Sequence, residues 1–350
     1  MQNSFTQKFS TTNKVVPYII VISLLLFSLL IGISIGSVSI PISNIIMVII
    51  GKVVYAPLLD HVEPMLINII WNIRLPRVLL AMFVGSSLAL AGAAFQGFLK
   101  NPLADPYTLG VSSGAALGAV IVLFFGITIP FLGKMTLPIF SILLGFLTLL
   151  LVISFAKLIN RHMAVETIIL TGIIFSSFLG SLISLMIALT GEELRQIIGW
   201  LMGSVSMRGW EYVKLQIPFF ILGTLMLLFN CRELNALSFG EETAKHLGVN
   251  IQTRKLLILL GAALLTGSAV AVSGTIGFVG LVIPHLVRLL WGADHKHLLP
   301  LATICGGAFL ILADLLARTV ISPTEIPIGV ITALIGGPVF GIILFKARRV

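Results

Sequence analysis

Residues 78–98 read VLLAMFVGSSLALAGAAFQGF, a stretch without a single Asp, Glu, Lys or Arg, in which Gly85, Ala89, Ala93 and Gly97 recur at every fourth position. About 20 apolar residues are what a helix needs to cross the hydrocarbon core of a bilayer. A spacing of four places the small side chains on one helix face. Lipid supplies no hydrophobic push between helices, so small residues that let backbones approach closely are how such helices pack. The stretch is therefore predicted to be a membrane-spanning helix that meets its neighbours along a small-residue stripe.

The rest of the chain repeats this pattern. Apolar runs also occupy residues 17–36, 109–126, 135–156, 167–189, 212–229, 256–272, 275–292, 299–317 and 327–345. Small residues recur at Gly110, Gly114 and Gly118, and again at Gly329, Ala333, Gly337 and Gly341, where helix packing or a substrate path could use them. Of the 350 residues, 58% are hydrophobic and only 10% are charged, against roughly 25% charged in soluble domains. The mean hydropathy is +1.12. The fold class is an all-α integral membrane protein with about ten transmembrane helices, forming a single unit over residues 1–350. No polar stretch is long enough for a separate soluble domain. The run at 17–36 exceeds a signal peptide's apolar core of roughly 7–15 residues and lacks a small-x-small cleavage site, so it reads as a retained helix.

An even number of crossings puts both termini on one side. With the termini inside, most of the basic residues fall in inner segments, including Lys8 and Lys14 of the N-terminal segment 1–16 and the cluster at Arg232, Lys245, Arg254 and Lys255. That is the bias expected of cytoplasmic loops. It also accounts for the net charge of +9 without a nucleic-acid partner. Arg74, Arg77 and Arg318 fall on the outer side and need another explanation.

The residues that would power chemistry are missing. Around Gly133 and Lys134, Thr128 replaces the first glycine of a phosphate-binding loop, and Met135 replaces the Ser or Thr that would hold magnesium. Cys231 and Cys305 are too isolated for a disulfide framework or a zinc site. Residues 294–297, Asp-His-Lys-His, read as a solvated turn, and no metal is expected. Membrane-depth acids would suggest a carrier driven by an ion gradient. Only Asp314 and Glu325 qualify, and Asp314 lies four residues before Arg318, the spacing of an intrahelical ion pair. The chain reads as a conduit whose energy comes from elsewhere.

The longest inner segment, residues 237–250, reads LSFGEETAKHLGVN. Ser238 and Glu241 have capping-box spacing. Glu241 and Glu242 suit the positive end of a helix, and Lys245 and His246 suit the other. Gly248 can take the left-handed conformation that ends it. A short capped helix from Phe239 to Leu247 is predicted, between the sixth and seventh runs. So short a helix is marginal in water and must pack on something.

Several further motifs stand in order: RLPR at 74–77, NPLADP at 101–106 leading into GVSSG at 110–114, and GWLMG at 199–203. GFVGLVIPHLVR at 277–288, ADLLAR at 313–318 and EIPIG at 325–329 follow. Together with the capped segment, they resemble the iron-siderophore and vitamin B12 branch of ABC importer permeases, over most of the chain.

The resemblance implies a ten-helix permease of the cytoplasmic membrane paired with a second permease, identical or not. Two cytoplasmic ATPases, which bind ATP and magnesium, would lie beneath it, and an extracytoplasmic substrate-binding protein would dock above. The chain itself would be no enzyme and would bind no cofactor. Ferric siderophore is the expected cargo, with vitamin B12 or haem as alternatives. Ser238, Phe239, Gly240, Glu241, Glu242, Ala244, Leu247 and Gly248 match the coupling helix seated on the ATPase. Arg74, Arg77 and Arg318 match arginines that pair with acids of the binding protein. Ala164, Val165 and Glu166 match the inner gate, although Val165 and Glu166 stand where relatives carry small hydroxyl residues.

Overall fold

In a computed structural model, residues 14–36, 38–161 and 163–347 are described. Every apolar run lies on a helix. In chain order the helices are α1 (Val15–Ser34), α2 (Ile42–Val53), α3 (Pro64–Phe98), α4 (Val111–Phe124), α5 (Thr136–Ile159), α6 (Val165–Leu189) and α7 (Leu194–Leu201). They continue with α8 (Gly209–Phe229), α9 (Cys231–Ser238), α10 (Glu241–His246), α11 (Ile251–Ser273), α12 (Val279–Trp291), α13 (His295–Thr319) and α14 (Ile328–Ala347). Seven of them, α1, α3, α5, α6, α8, α11 and α13, are long and apolar enough to span a bilayer, and α2, α4, α12 and α14 are shorter apolar helices. Lys8, counted as an inner charge, lies outside the described residues.

Helix α3 is the spine, packed against α8, α11, α12 and α13. Its small residues allow that. A Cβ on Gly92 would land on the Gly280 carbonyl of α12, and one on Gly85 would land on the Gly306 carbonyl of α13. Polar side chains add cross-links. Gln96 donates to Leu281 O at 3.0 Å, Gln216 of α8 to Ser87 Oγ at 3.1 Å, and Ser86 to Thr303 O at 2.8 Å. Such bonds between membrane helices are each worth about 0.6 kcal/mol.

Two irregularities have local causes. Residues Ile69–Arg74 of α3 wind as a π-helix, in which Leu75 N–H reaches Ile70 O. By the same rule Trp71 O would take its bond from Pro76, which has no N–H. The Trp210 indole donates to Trp71 O instead, at 2.8 Å. The second irregularity is the break between α11 and α12, where Gly274 and Phe278 take positive φ. Irregular backbone at membrane depth must be satisfied by protein or a cavity. Here the Tyr107 hydroxyl donates to Ile276 O at 2.7 Å and accepts from Ile276 N at 3.1 Å. The glycine-rich break is thus covered on this side, as expected of an interior element.

The periphery is different. In α6 only Ile168, Thr171 and Gly172 are buried. On α14, Gly329 abuts the Met202 carbonyl, whereas Ala333 is exposed and, among the described residues, nothing lies within 4 Å of a Cβ on Gly341. Most of the last small-residue stripe is therefore unused within this chain.

Candidate functional site

The segment of α3 from Leu75 to Phe98 has 24 residues, which at 1.5 Å each separates its ends by roughly 35 Å. The sequence-predicted residues gather at those two ends.

At the Arg77 end, guanidinium groups clasp three elements. Arg77 bonds Asp314 through Nε at 3.0 Å and Nη2 at 2.9 Å, and Glu325 through Nη1 at 2.7 Å. Asp314 is buried, and Arg318 approaches it at 3.6 Å in the anticipated i,i+4 pair. Arg318 also donates to Gly32 O. Arg74 is 5% exposed and donates to Ile33 O and Ser34 O at 2.7 and 2.8 Å, and to Val38 O. These carbonyls include the orphan acceptors at the end of α1, which a cation suits. Each guanidinium is engaged inside the chain, and Arg74 holds α1 to α3. Burial would raise the Glu325 carboxyl, but the bonds and charge of Arg77 hold it below its ordinary 4.5.

At the other end, the capping box does not form. Ser238 is the last residue of α9 and donates to Leu234 O at 2.9 Å. Its hydroxyl is thus captured by its own helix. Phe239 caps α9, and α10 starts only at Glu241, after Gly240 at φ 120°. The predicted C-terminal glycine is in place. Gly248 has φ 82°, with Gly248 N–H bonding Lys245 O at 3.0 Å and Val249 N–H bonding Ala244 O at 3.1 Å. That pair of bonds is the Schellman ending. Ala244 is fully buried, whereas Phe239 and Leu247 are 78% and 67% exposed. The result is a rigid knob with two apolar side chains facing outward. Beside it Glu241, Glu242, Lys245, Asn250 and Gln252 help to line a groove of about 620 Å³.

The knob is clipped to its surroundings. Arg254 of α11 meets Glu233 of α9 at 3.3 Å and Asn230 at 3.0 Å. Lys255 bonds Glu241 at 2.7 Å and Met163 O at 2.9 Å. Ala164 precedes α6, Val165 begins it and Glu166 lies in its first turn, where a carboxylate suits the helix dipole. Val165 and Glu166 share a cavity of about 110 Å³ with Lys100, Leu237 and Glu241. Residues 164–166 and the knob are therefore neighbours. Residues 294–297 form no solvated turn. Asp294 caps α13 by accepting from Lys296 N at 3.1 Å, and His295 is buried with its backbone N–H on Asn235 Oδ1 at 2.9 Å.

Lys255 was the site residue that sequence reasoning missed. Beside Arg254 it reads as one more solvated inner charge, and nothing local marks it as buried.

An all-helical membrane protein with a stapled spine, an open flank and a protruding helical knob has the build of a transport permease. The sequence profile of the FecCD transport family matches residues 24–346, and the chain belongs to that family of ABC importer permeases. It is 56% identical over 349 residues to the uncharacterized ABC transporter permease protein YvrB of Bacillus subtilis (strain 168), covering 100% of this chain and 99% of the relative. It is 42% identical over 285 residues to the cobalamin import system permease protein BtuC of Halobacterium salinarum, covering 81% and 74%. Among solved structures, it resembles a metal-chelate type ABC transporter in an inward-facing conformation. That match has a TM-score of 0.81 and 36% identity, and covers 95% of this chain and 100% of the other.

Proposed function

We propose that this chain is the membrane half of a binding-protein-dependent importer of ferric siderophore, worked by ATPases that seat on α10. The carrying observation is the knob: a short helix with a Schellman ending, clipped by Lys255, that has Phe239 and Leu247 exposed at its two ends for a partner. The metal-chelate type of the solved relative supports a ferric chelate as cargo. The cobalamin permease keeps vitamin B12 as the second reading.

In this reading the chain has ten crossings with both termini in the cytoplasm and sits in the plasma membrane beside a second permease. ATP binding and hydrolysis belong to two partner subunits with their magnesium. Their closure pushes α10, the two permeases tilt, and a central path opens to one side and then the other. The unused faces of α6 and α14 line that path or meet the second permease. A substrate-binding protein delivers cargo at the Arg77 end. There Arg77 and Arg318 hold the docking surface in shape through Asp314 and Glu325, and a docking acid of the partner would exchange with Glu325 on Arg77. The pairing of both Asp314 and Glu325 with Arg77 speaks against an ion-gradient carrier, which needs acids free to load and release.

The double variant Phe239→Asp, Leu247→Asp tests the knob, because both residues are exposed and the fold should tolerate the change. The ATPase that co-purifies with the wild-type chain from its own membranes should be lost by roughly tenfold or more, while the variant remains in the membrane fraction. Undiminished co-purification, or no ATPase with the wild-type chain, would overturn the assignment.

A further inference from the structure

Lys255 has a fully buried side chain, and its ammonium touches two segments far apart in sequence. One is Glu241, the first residue of α10, at 2.7 Å. The other is the carbonyl of Met163, 92 residues away, at 2.9 Å. Met163 is itself buried and has φ 47°, a left-handed conformation that non-glycine residues avoid. It sits in the turn between α5 and α6, two residues before α6 begins. Its own N–H bonds Asn160 O at 2.9 Å, within the same turn, so the Lys255 ammonium is a direct link from this turn to the first residue of α10.

We propose that Lys255 is a positioning residue that rivets α10 to the turn before α6, so that a displacement of α10 is delivered to the N-terminus of α6. This rests on the reading of α10 as the element the ATPase drives. The chemistry fits a rivet. An ammonium offers three donors on a flexible stem, and within a buried site, removal of one partner of an ion pair strands the other. Glu241 is 40% exposed and can turn to water, whereas the Met163 carbonyl cannot follow it. Loss of the ammonium therefore separates the two segments without dismantling either.

Hydrogen exchange on the full chain in lipid nanodiscs reads this directly, with and without its co-purified ATPase. In Lys255→Met, amides of α10 and of the turn holding Met163 and Ala164 should both exchange roughly tenfold faster than in wild type. Lys255→Arg should restore most of the protection. With ATPase, ATP and vanadate, wild type should change protection in both segments, and Lys255→Met in α10 alone. A merely structural lysine would loosen the chain broadly and leave the nucleotide response joined. Unchanged exchange in the two segments of Lys255→Met, or a nucleotide response that still reaches the turn, would overturn the rivet. If no ATPase accompanies wild type, the coupling reading fails, yet the nucleotide-free comparison still decides whether Lys255 joins the segments. Should Lys255→Met fail to accumulate, Glu241→Gln removes the ion pair from its exposed side and should loosen the same two segments, more weakly.

Discussion

Helices α3 and α6 have the same mean hydropathy in their most apolar windows, 2.1, yet 83% of that window is buried in α3 and 17% in α6. Apolarity puts both in a membrane and does not say what they face. Small residues make the difference. The backbones of α12 and α13 come down on Gly92 and Gly85 of α3, whereas Gly180 of α6 has nothing within 4 Å. One helix is scaffold, and the other offers its surface to lipid or to a partner.

The largest break in that contrast should come from the charge pair that ties α13 to the spine. Asp314→Ala leaves Arg77 and Arg318 short of a buried carboxylate, and loss of one partner from a buried pair costs about 3–5 kcal/mol. Thermal unfolding followed by size exclusion in detergent should show a large drop for Asp314→Ala. Glu325→Gln should lose much less, because Glu325 is half in solvent. Equal losses would mean that burial does not set the strength of the clasp. A smaller effect should separate Gly92→Ala from Gly180→Ala in the same assay. The first forces α3 from α12, at a typical overpacking cost of about 1–3 kcal/mol. The second meets open space and gains helix propensity of up to about 1 kcal/mol. Indistinguishable stabilities would remove the distinction between spine and flank.

Much of this was legible in the residues. The stripe at Gly85 announced the close approach to α13, and the ending of α10 at Gly248 followed from glycine's access to positive φ. The i,i+4 pairing of Asp314 with Arg318 was readable as well, although the shorter bond goes to Arg77, 237 residues away. What escaped needed the third dimension. Ser238 has the spacing of a cap, but α9 extends far enough to take its hydroxyl, and a local pattern cannot show where the preceding helix stops. Helix α2 has only 12 residues with Ser43, Asn44 and Lys52 among them, too short and mixed to register as a span. Arg74 and Lys255 look like ordinary flanking charges, and only the fold brings the α1 carbonyls to one and Met163 to the other.

Under the proposed function, nucleotide hydrolysis delivered at α10 moves this bundle. Uptake by vesicles containing the purified assembly, with ferric hydroxamate, cobalamin and haem as probes, tests it most directly. At least one probe should enter only when ATP is supplied to the ATPase side, and entry should survive an ionophore. Entry that continues without nucleotide and collapses with the ionophore would mean that an ion gradient, and not an ATPase at α10, drives the bundle.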